Sequence, residues 1–123
     1  MEAKMLKKIT DKLTRYVCEK ETKKFSNLFT NEGIYHDYIY GNFKGRKAIE
    51  LMLNEYFYRD AENFIWKMYD HTYKDNLGYA RYRFSFVSKI PKYIGKKVVI
   101  SGMSFFKLQK DKIAEYHEAI NGG

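Results

Sequence analysis

Apolar residues in the first part of the chain recur at the spacing of one helical face. From Ala3 to about Lys20 they follow the i, i+3, i+4, i+7 pattern, which predicts an amphipathic helix. The apolar face consists of Leu6, Ile9, Leu13, Tyr16 and Val17. A second, short helix is predicted to carry Phe25, Leu28 and Phe29, and the polar residues and glycine of Thr30–Gly33 are expected to end it in a turn.

The middle of the chain predicts one strand and one more helix. Ile34–Tyr40 is rich in β-branched and aromatic residues, so it is expected to form a short strand that ends at Gly41. From Arg46 to Arg59 the apolar residues again share one face, which predicts an amphipathic helix of about four turns.

Four more strands are expected to follow as an antiparallel meander, with turns near Asp75, Pro91 and Lys110. In the strand from Tyr79 to Val87, basic residues alternate with aromatic ones. Because successive side chains of a strand point to opposite faces, the arginines should face water and the aromatic residues the core. The inward residues would be Tyr82, Phe84 and Phe86.

The strand from Lys97 to Leu108 carries apolar residues on both faces. Val99, Met103 and Phe105 occupy one face, and the other holds Val98, Ile100, Phe106 and Leu108. One face can be covered by the helices, but the second needs another protein surface. We therefore expect a homodimer that packs sheet against sheet.

Helices followed by a curved antiparallel sheet predict an α+β fold in which the sheet wraps around the N-terminal helices and encloses a cavity. At 123 residues the chain is expected to form a single domain, residues 1–123. The only cysteine excludes an internal disulfide, and the charged N-terminus is unlike a signal or a membrane span. These features favour a cytoplasmic protein.

The net charge of +8, from 23 basic and 15 acidic residues, permits contact with nucleic acid. The acids are interleaved with the basic residues, however, and alternation assigns the aromatic side chains to buried faces. Nucleic-acid binding is therefore disfavoured. The glycines at 41, 45, 78, 95 and 102 stand singly, without a phosphate-binding motif, so no nucleotide or other cofactor is expected.

Short motifs along the whole chain resemble the nuclear transport factor 2-like superfamily, which includes SnoaL-like and ketosteroid isomerase-like domains. The motifs are Leu28–Asp37, Gly45-Arg46 with Ala48-Ile49, Gly95–Lys97 and Asp111–Glu115. The resemblance implies the cone-shaped α+β barrel of this superfamily, with a curved antiparallel sheet around the N-terminal helices, and a cavity for a small hydrophobic ligand. It implies no single activity, because the fold carries many functions.

The ketosteroid isomerase pattern implies catalytic residues. Its base, an Asp at the end of the first strand, matches Asp37, and its oxyanion donor, a Tyr after an Arg on the first helix, matches Tyr16. The second donor position holds Ser104 instead of an acid, and loss of one donor costs about 10²- to 10³-fold in rate. The expected cavity residues are Tyr82, Phe84, Phe86, Ser104, Phe106, Tyr116, Glu118 and Trp66.

Several residues have alternative interpretations. Asp37 is either a base or a strand-end residue that hydrogen-bonds the following loop, and Tyr16 fits the core face of its helix equally well. Glu118, on an inward face, must be protonated, paired or functional. Glu115 and His117 fall on the opposite face and are assigned to the surface or a dimer interface.

No metal site is predicted, because adjacent residues such as His36 and Asp37 point to opposite faces of a strand and no three ligands converge visibly. Two functions remain open. The first is a ligand-binding domain that performs isomerisation, cyclisation or dehydration with Asp37 as base. The second is a non-catalytic member of the fold that senses a ligand or binds a protein.

Overall fold

The computed structural model of the protein describes residues 2–121. A helix α1, a short helix α2 and two strands are followed by α3, which has consecutive α, π and α segments, and then by four long strands. Their bounds are α1 Glu2–Cys18, α2 Thr22–Ser26, β1 Phe29–Asp37, β2 Gly41–Lys44, α3 Arg46–Leu51 with Met52–Phe57 and Tyr58–Asp60, β3 Ala61–Lys74, β4 Leu77–Ser88, β5 Lys97–Gln109 and β6 Lys112–Ile120. A 3₁₀ turn at Pro91–Tyr93 lies between β4 and β5.

The six strands form one curved sheet in the order β2-β1-β6-β5-β4-β3, and the sheet does not close on itself. Neighbours are antiparallel except β1 and β6, which run parallel. This parallel pairing places β1, the first strand of the chain, beside β6, the last one. The α+β architecture with N-terminal helices against a curved sheet, as the sequence predicted, is confirmed.

The helices cover the inner face of the sheet with their apolar sides. Leu6, Leu13 and Val17 of α1 are fully buried, and α1 packs on β3. In α3, Ile49 and the first π-helical residues are also buried. No helix in the described part of the chain is long and apolar enough to cross a membrane.

The expectations for the short helix and the turn before the first strand were wrong. The expected turn Thr30–Gly33 lies inside β1, which already begins at Phe29, so the short helix ends at Ser26 and excludes Leu28 and Phe29. The polar residues and glycine resemble a turn, but this stretch is part of a strand whose pairing with β6 shifts register between Phe29 and Ile34. Gly33 fits there because a Cβ would approach the Cβ of Phe29 to 2.9 Å.

Strand one also ends earlier than expected. It stops at Asp37, and a tight turn of residues 38–40 leads into β2, which the sequence pattern did not reveal. The expected alternation in β4 is confirmed, since Arg81 and Arg83 are exposed while Tyr82 is buried.

Candidate functional site

A cavity of about 180 Å³ lies between the inner face of the sheet and α3. Most of its wall is aromatic or aliphatic, and a few acids and phenols interrupt it. The lining residues are Tyr35, Asp37, Ile39, Tyr40, Phe57, Asp60, Ala61, Phe64, Trp66, Tyr82, Phe84, Phe86, Ile90, Ile100, Glu118 and Ile120. Its volume is below the usual range of about 300–1,000 Å³ for drug-sized ligands, so it suits a molecule of one or two rings.

The aromatic wall is built by cross-strand pairing of β3 and β4. Trp66 stands opposite Phe84 in the register, and their rings meet edge to face at 5.5 Å. The Phe64 ring stacks on that of Phe84 with centroids 5.7 Å apart, and the Phe86 ring lies 5.5 Å from the Phe84 ring. Such offset and edge-to-face contacts hold the rings in place without a polar partner. The wall is therefore a preformed apolar surface.

Asp37 closes β1 at one end of this wall, where it is almost fully buried. Its Oδ2 atom accepts hydrogen bonds from the backbone N–H groups of Ile39 and Tyr40, each at 2.9 Å. Burial raises the pKa of Asp37, and the two N–H groups oppose that rise because they stabilise the carboxylate. Both hydrogen bonds use Oδ2, which leaves Oδ1 for a ligand.

Glu118 enters the cavity from β6 beside the same turn. Its Oε1 atom accepts a hydrogen bond from the Tyr35 hydroxyl at 3.4 Å, and its Oε2 accepts from the Tyr38 N–H at 3.5 Å. Burial, with the nearby negative charge of Asp37, raises the pKa of Glu118 to about 7. Glu118 is therefore partly protonated at neutral pH and can donate as well as accept a proton.

A third carboxylate, that of Asp60, differs from these two. It pairs with Arg59 at 2.7 Å and accepts a hydrogen bond from the Tyr40 hydroxyl at 2.7 Å. The bond to Arg59 lowers the pKa of Asp60, so this group stays ionised. The Tyr40–Asp60 bond ties the turn after β1 to the end of α3. The exposed side chains of Ile39 and Ile90 mark the opening of the cavity to solvent.

Trp66 carries an unused hydrogen-bond donor. Among the buried side-chain polar atoms of residues 2–121, only its indole nitrogen has no hydrogen-bond partner. Its ring meets that of Tyr116 nearly perpendicularly, at 82° and 6.3 Å.

The structure places six of the ten expected site residues on the cavity: Asp37, Trp66, Tyr82, Phe84, Phe86 and Glu118. Ser104, Phe106 and Tyr116 share the inward face but are fully buried outside the cavity lining. Ser104 and Tyr116 hydrogen-bond each other there at 2.7 Å, which satisfies both hydroxyls.

Tyr16 lies away from the cavity. Its ring is half-buried against the core, with Arg15 and Lys24 over its faces at 5.2 and 6.0 Å. The phenols that line the cavity are Tyr35, Tyr40 and Tyr82. Sequence reasoning missed Tyr35 and Tyr40, although Tyr35 lies two residues before Asp37 on the same face of β1 and could have been found from alternation.

The α+β fold with N-terminal helices on a curved sheet is shared with nuclear transport factor 2-like proteins of known structure. An NTF2-like protein from Anabaena variabilis ATCC 29413 superposes with a TM-score of 0.78 at 14% identity, over 98% of this chain and 89% of that one. A protein with a ketosteroid isomerase-like fold from Catenulispora acidiphila DSM 44928, in complex with trimethylamine, gives 0.79 at 13% identity, over 90% and 83%. An LEH-like epoxide hydrolase from M. tuberculosis gives 0.78 at 7% identity, over 98% and 86%.

At such low identities the likeness shows the fold. The family follows from the sequence, because the family model of the SnoaL-like domain matches residues 13–116. The chain belongs to the SnoaL-like domain family. No curated protein matches its sequence.

Proposed function

We propose that the cavity binds a small, cyclic, mostly apolar molecule and that Asp37 and Glu118 perform acid–base chemistry on it. The observation that carries this proposal is that two carboxyls, the buried one of Asp37 and the half-buried one of Glu118, are held by one turn, residues 38–40, at the end of an aromatic wall. Their environments differ. Asp37 has two backbone N–H donors that favour the carboxylate, whereas Glu118 has a pKa of about 7. Unequal pKa values of neighbouring acids separate a base from an acid.

In this proposal the Oδ1 atom of Asp37 removes a proton from a carbon next to a carbonyl group. The electron pair moves to the carbonyl oxygen, and protonated Glu118 donates a hydrogen bond or its proton to that oxygen. Return of a proton to another carbon isomerises the ligand, and loss of a hydroxide leaving group as water dehydrates it. The donor role expected of Tyr16 is then taken by Glu118, supported by the Tyr35 hydroxyl.

A second candidate is a cavity that binds a ligand without changing it. It is favoured by the two backbone hydrogen bonds of Asp37, since such an arrangement also serves only to fix a turn. The two candidates share the cavity and differ in the fate of the ligand.

Ligand binding is tested by thermal-shift screening of one- and two-ring ketones, enones and epoxides. A ligand that binds the folded state raises the melting temperature. The matched variant is Ala61→Leu, which fills part of the cavity and should abolish the shift relative to its own ligand-free protein. An equal shift in both proteins would place the ligand elsewhere.

Catalysis is tested by recovering each bound ligand after long incubation with the wild type and with Asp37→Asn. Conversion by the wild type and its loss in Asp37→Asn support the base. Conversion at the same rate by both proteins removes Asp37 from that role. A ligand that is bound but recovered unchanged from the wild type supports the non-catalytic candidate.

We also infer that the outer face of the sheet forms a homodimer. Val99 and Met103 on β5 are each 46% exposed, and Tyr79 on β4 is 43% exposed, so this face presents apolar side chains to solvent. Sedimentation of wild type and of Met103→Lys tests the inference, with Ile90→Lys, at the opening of the cavity, as a control away from this face. A monomeric wild type, or a dimer that Met103→Lys leaves intact, would contradict it.

A further inference from the structure

Three side chains with metal-binding atoms converge on the outer face of β1 and β6. They are His36, Glu115 and His117, all half-buried, and their ligand atoms lie within 4.8 Å of one another. Because adjacent residues of a strand point to opposite faces, this cluster lies behind Asp37 and Glu118 and takes no part in the cavity.

Pairing of the two parallel strands creates the cluster. His36 stands opposite His117 in the register, and their rings stack at 3.9 Å with an angle of 12°. Glu115 lies two residues before His117 on the same face, and its Oε1 is 3.0 Å from His117 Nε2. The three groups therefore come together through the backbone register and need no loop to hold them.

We propose that His36, Glu115 and His117 form a Zn²⁺ site with an open position for water. Two imidazoles and one carboxylate are a donor set that zinc accepts. Around a tetrahedral zinc with bonds of about 2.1 Å, ligand atoms lie roughly 3.4 Å apart. Glu115 Oε1 and His117 Nε2 lie slightly closer than that, at 3.0 Å, and side-chain rotation of His36 brings its nitrogen closer.

Neighbouring groups orient the ligands as in a metal site. His36 Nδ1–H donates to the side-chain oxygen of Asn42 at 2.6 Å, so the Nε2 lone pair is available to an ion. The Nζ atom of Lys107 lies 3.9 Å from Oε2 of Glu115. The other carboxylate oxygen, Oε1, is therefore turned toward His117.

A bound ion would cross-link β1 to β6, the strands that carry Asp37 and Glu118 one residue further on. It would stabilise the folded state, because the unfolded chain does not hold these ligands together. This consequence is independent of the reaction in the cavity.

Calorimetric titration of tag-free, EDTA-treated protein with ZnCl₂ tests the site. We expect one ion per chain, a higher melting temperature with zinc, and visible absorption typical of tetrahedral coordination when Co²⁺ replaces zinc. His36→Ala and His117→Ala should each weaken zinc binding at least tenfold, and Asn42→Ala, which removes only the orienting group, about tenfold or more.

The control is His71→Ala, because His71 is hydrogen-bonded to Thr10 at 2.7 Å on the other side of the fold and should not affect zinc. If either histidine variant fails to fold by circular dichroism, Glu115→Gln and Asn42→Ala provide the same test. Absence of binding heat in the wild type, an equal loss in His71→Ala, or half an ion per chain would overturn the proposal.

Discussion

Replacing Glu118 with glutamine removes a carboxyl whose protonation is linked to folding. Its pKa rises from 4.5 in the unfolded chain to about 7 in the folded protein, because burial and the charge of Asp37 disfavour the carboxylate. Below pH 4.5 the group is protonated in both states and has no effect. As the pH rises through this interval the unfolded state releases its proton first, so the wild type loses stability, and the loss is complete above pH 7.

The size of this loss follows from the pKa. At 1.36 kcal/mol per pKa unit, it amounts to about 3 kcal/mol at high pH, of which about 2.5 kcal/mol develops between pH 5 and pH 8. Glu118→Gln has no such proton. Between pH 5 and pH 8, the free energy of unfolding of Glu118→Gln should therefore rise by about 2.5 kcal/mol relative to that of the wild type.

Urea unfolding at pH 5 and pH 8 measures the difference. With a urea dependence of about 1–3 kcal/mol/M, the midpoints of the two proteins should separate by roughly 1–2 M more at pH 8 than at pH 5. Glu115→Gln is the matched control on the same strand. The hydrogen bond to His117 lowers the pKa of Glu115, so this carboxylate stays ionised between pH 5 and pH 8 and takes up no proton on folding. Equal pH dependence in wild type and Glu118→Gln would refute the assigned pKa and the acid role built on it.

Three other substitutions test the surroundings of the cavity by urea unfolding. Tyr40→Phe loses the 2.7 Å bond to Asp60 and should cost about 1 kcal/mol, whereas no change would mean that this bond does not fix the turn. Tyr116→Phe leaves buried Ser104 without its partner and should cost about 1–3 kcal/mol, unless another group satisfies Ser104. Gly102→Ala should cost about 1–3 kcal/mol, because its Cβ would meet the neighbouring strand; wild-type stability would show that the strand shifts freely.

The inner wall of the cavity could be predicted from the sequence because it depends on local alternation. The period of two in β4 places Tyr82, Phe84 and Phe86 on one face whatever the rest of the chain does. The resemblance to the superfamily placed Tyr116 and Ser104 inward as well. It could not show that they are buried outside the cavity, because the curvature of the sheet decides how deep each inward residue lies.

The convergence of groups from distant strands could not be predicted in this way. His36 meets His117 only because β1 pairs in parallel with β6, whereas the sequence pattern predicted only the antiparallel meander of the last four strands and not the partner of the first strand. The turn at residues 38–40, which brings Asp37 and Glu118 together, likewise depends on where β1 ends and β2 begins. Register between strands far apart in sequence is fixed by tertiary packing.

Hydrogen–deuterium exchange into a small ketone tests most directly whether Asp37 acts as a base in the cavity. 2-Tetralone, a two-ring ketone, is incubated with protein in D₂O, and deuterium at the carbons beside its carbonyl is followed by NMR. We expect the wild type and Asp75→Asn, altered in an exposed turn, to accelerate exchange above buffer, and Asp37→Asn to be slower by about 100-fold or more. Equal exchange in wild type and Asp37→Asn, or no acceleration by the wild type, would contradict the account.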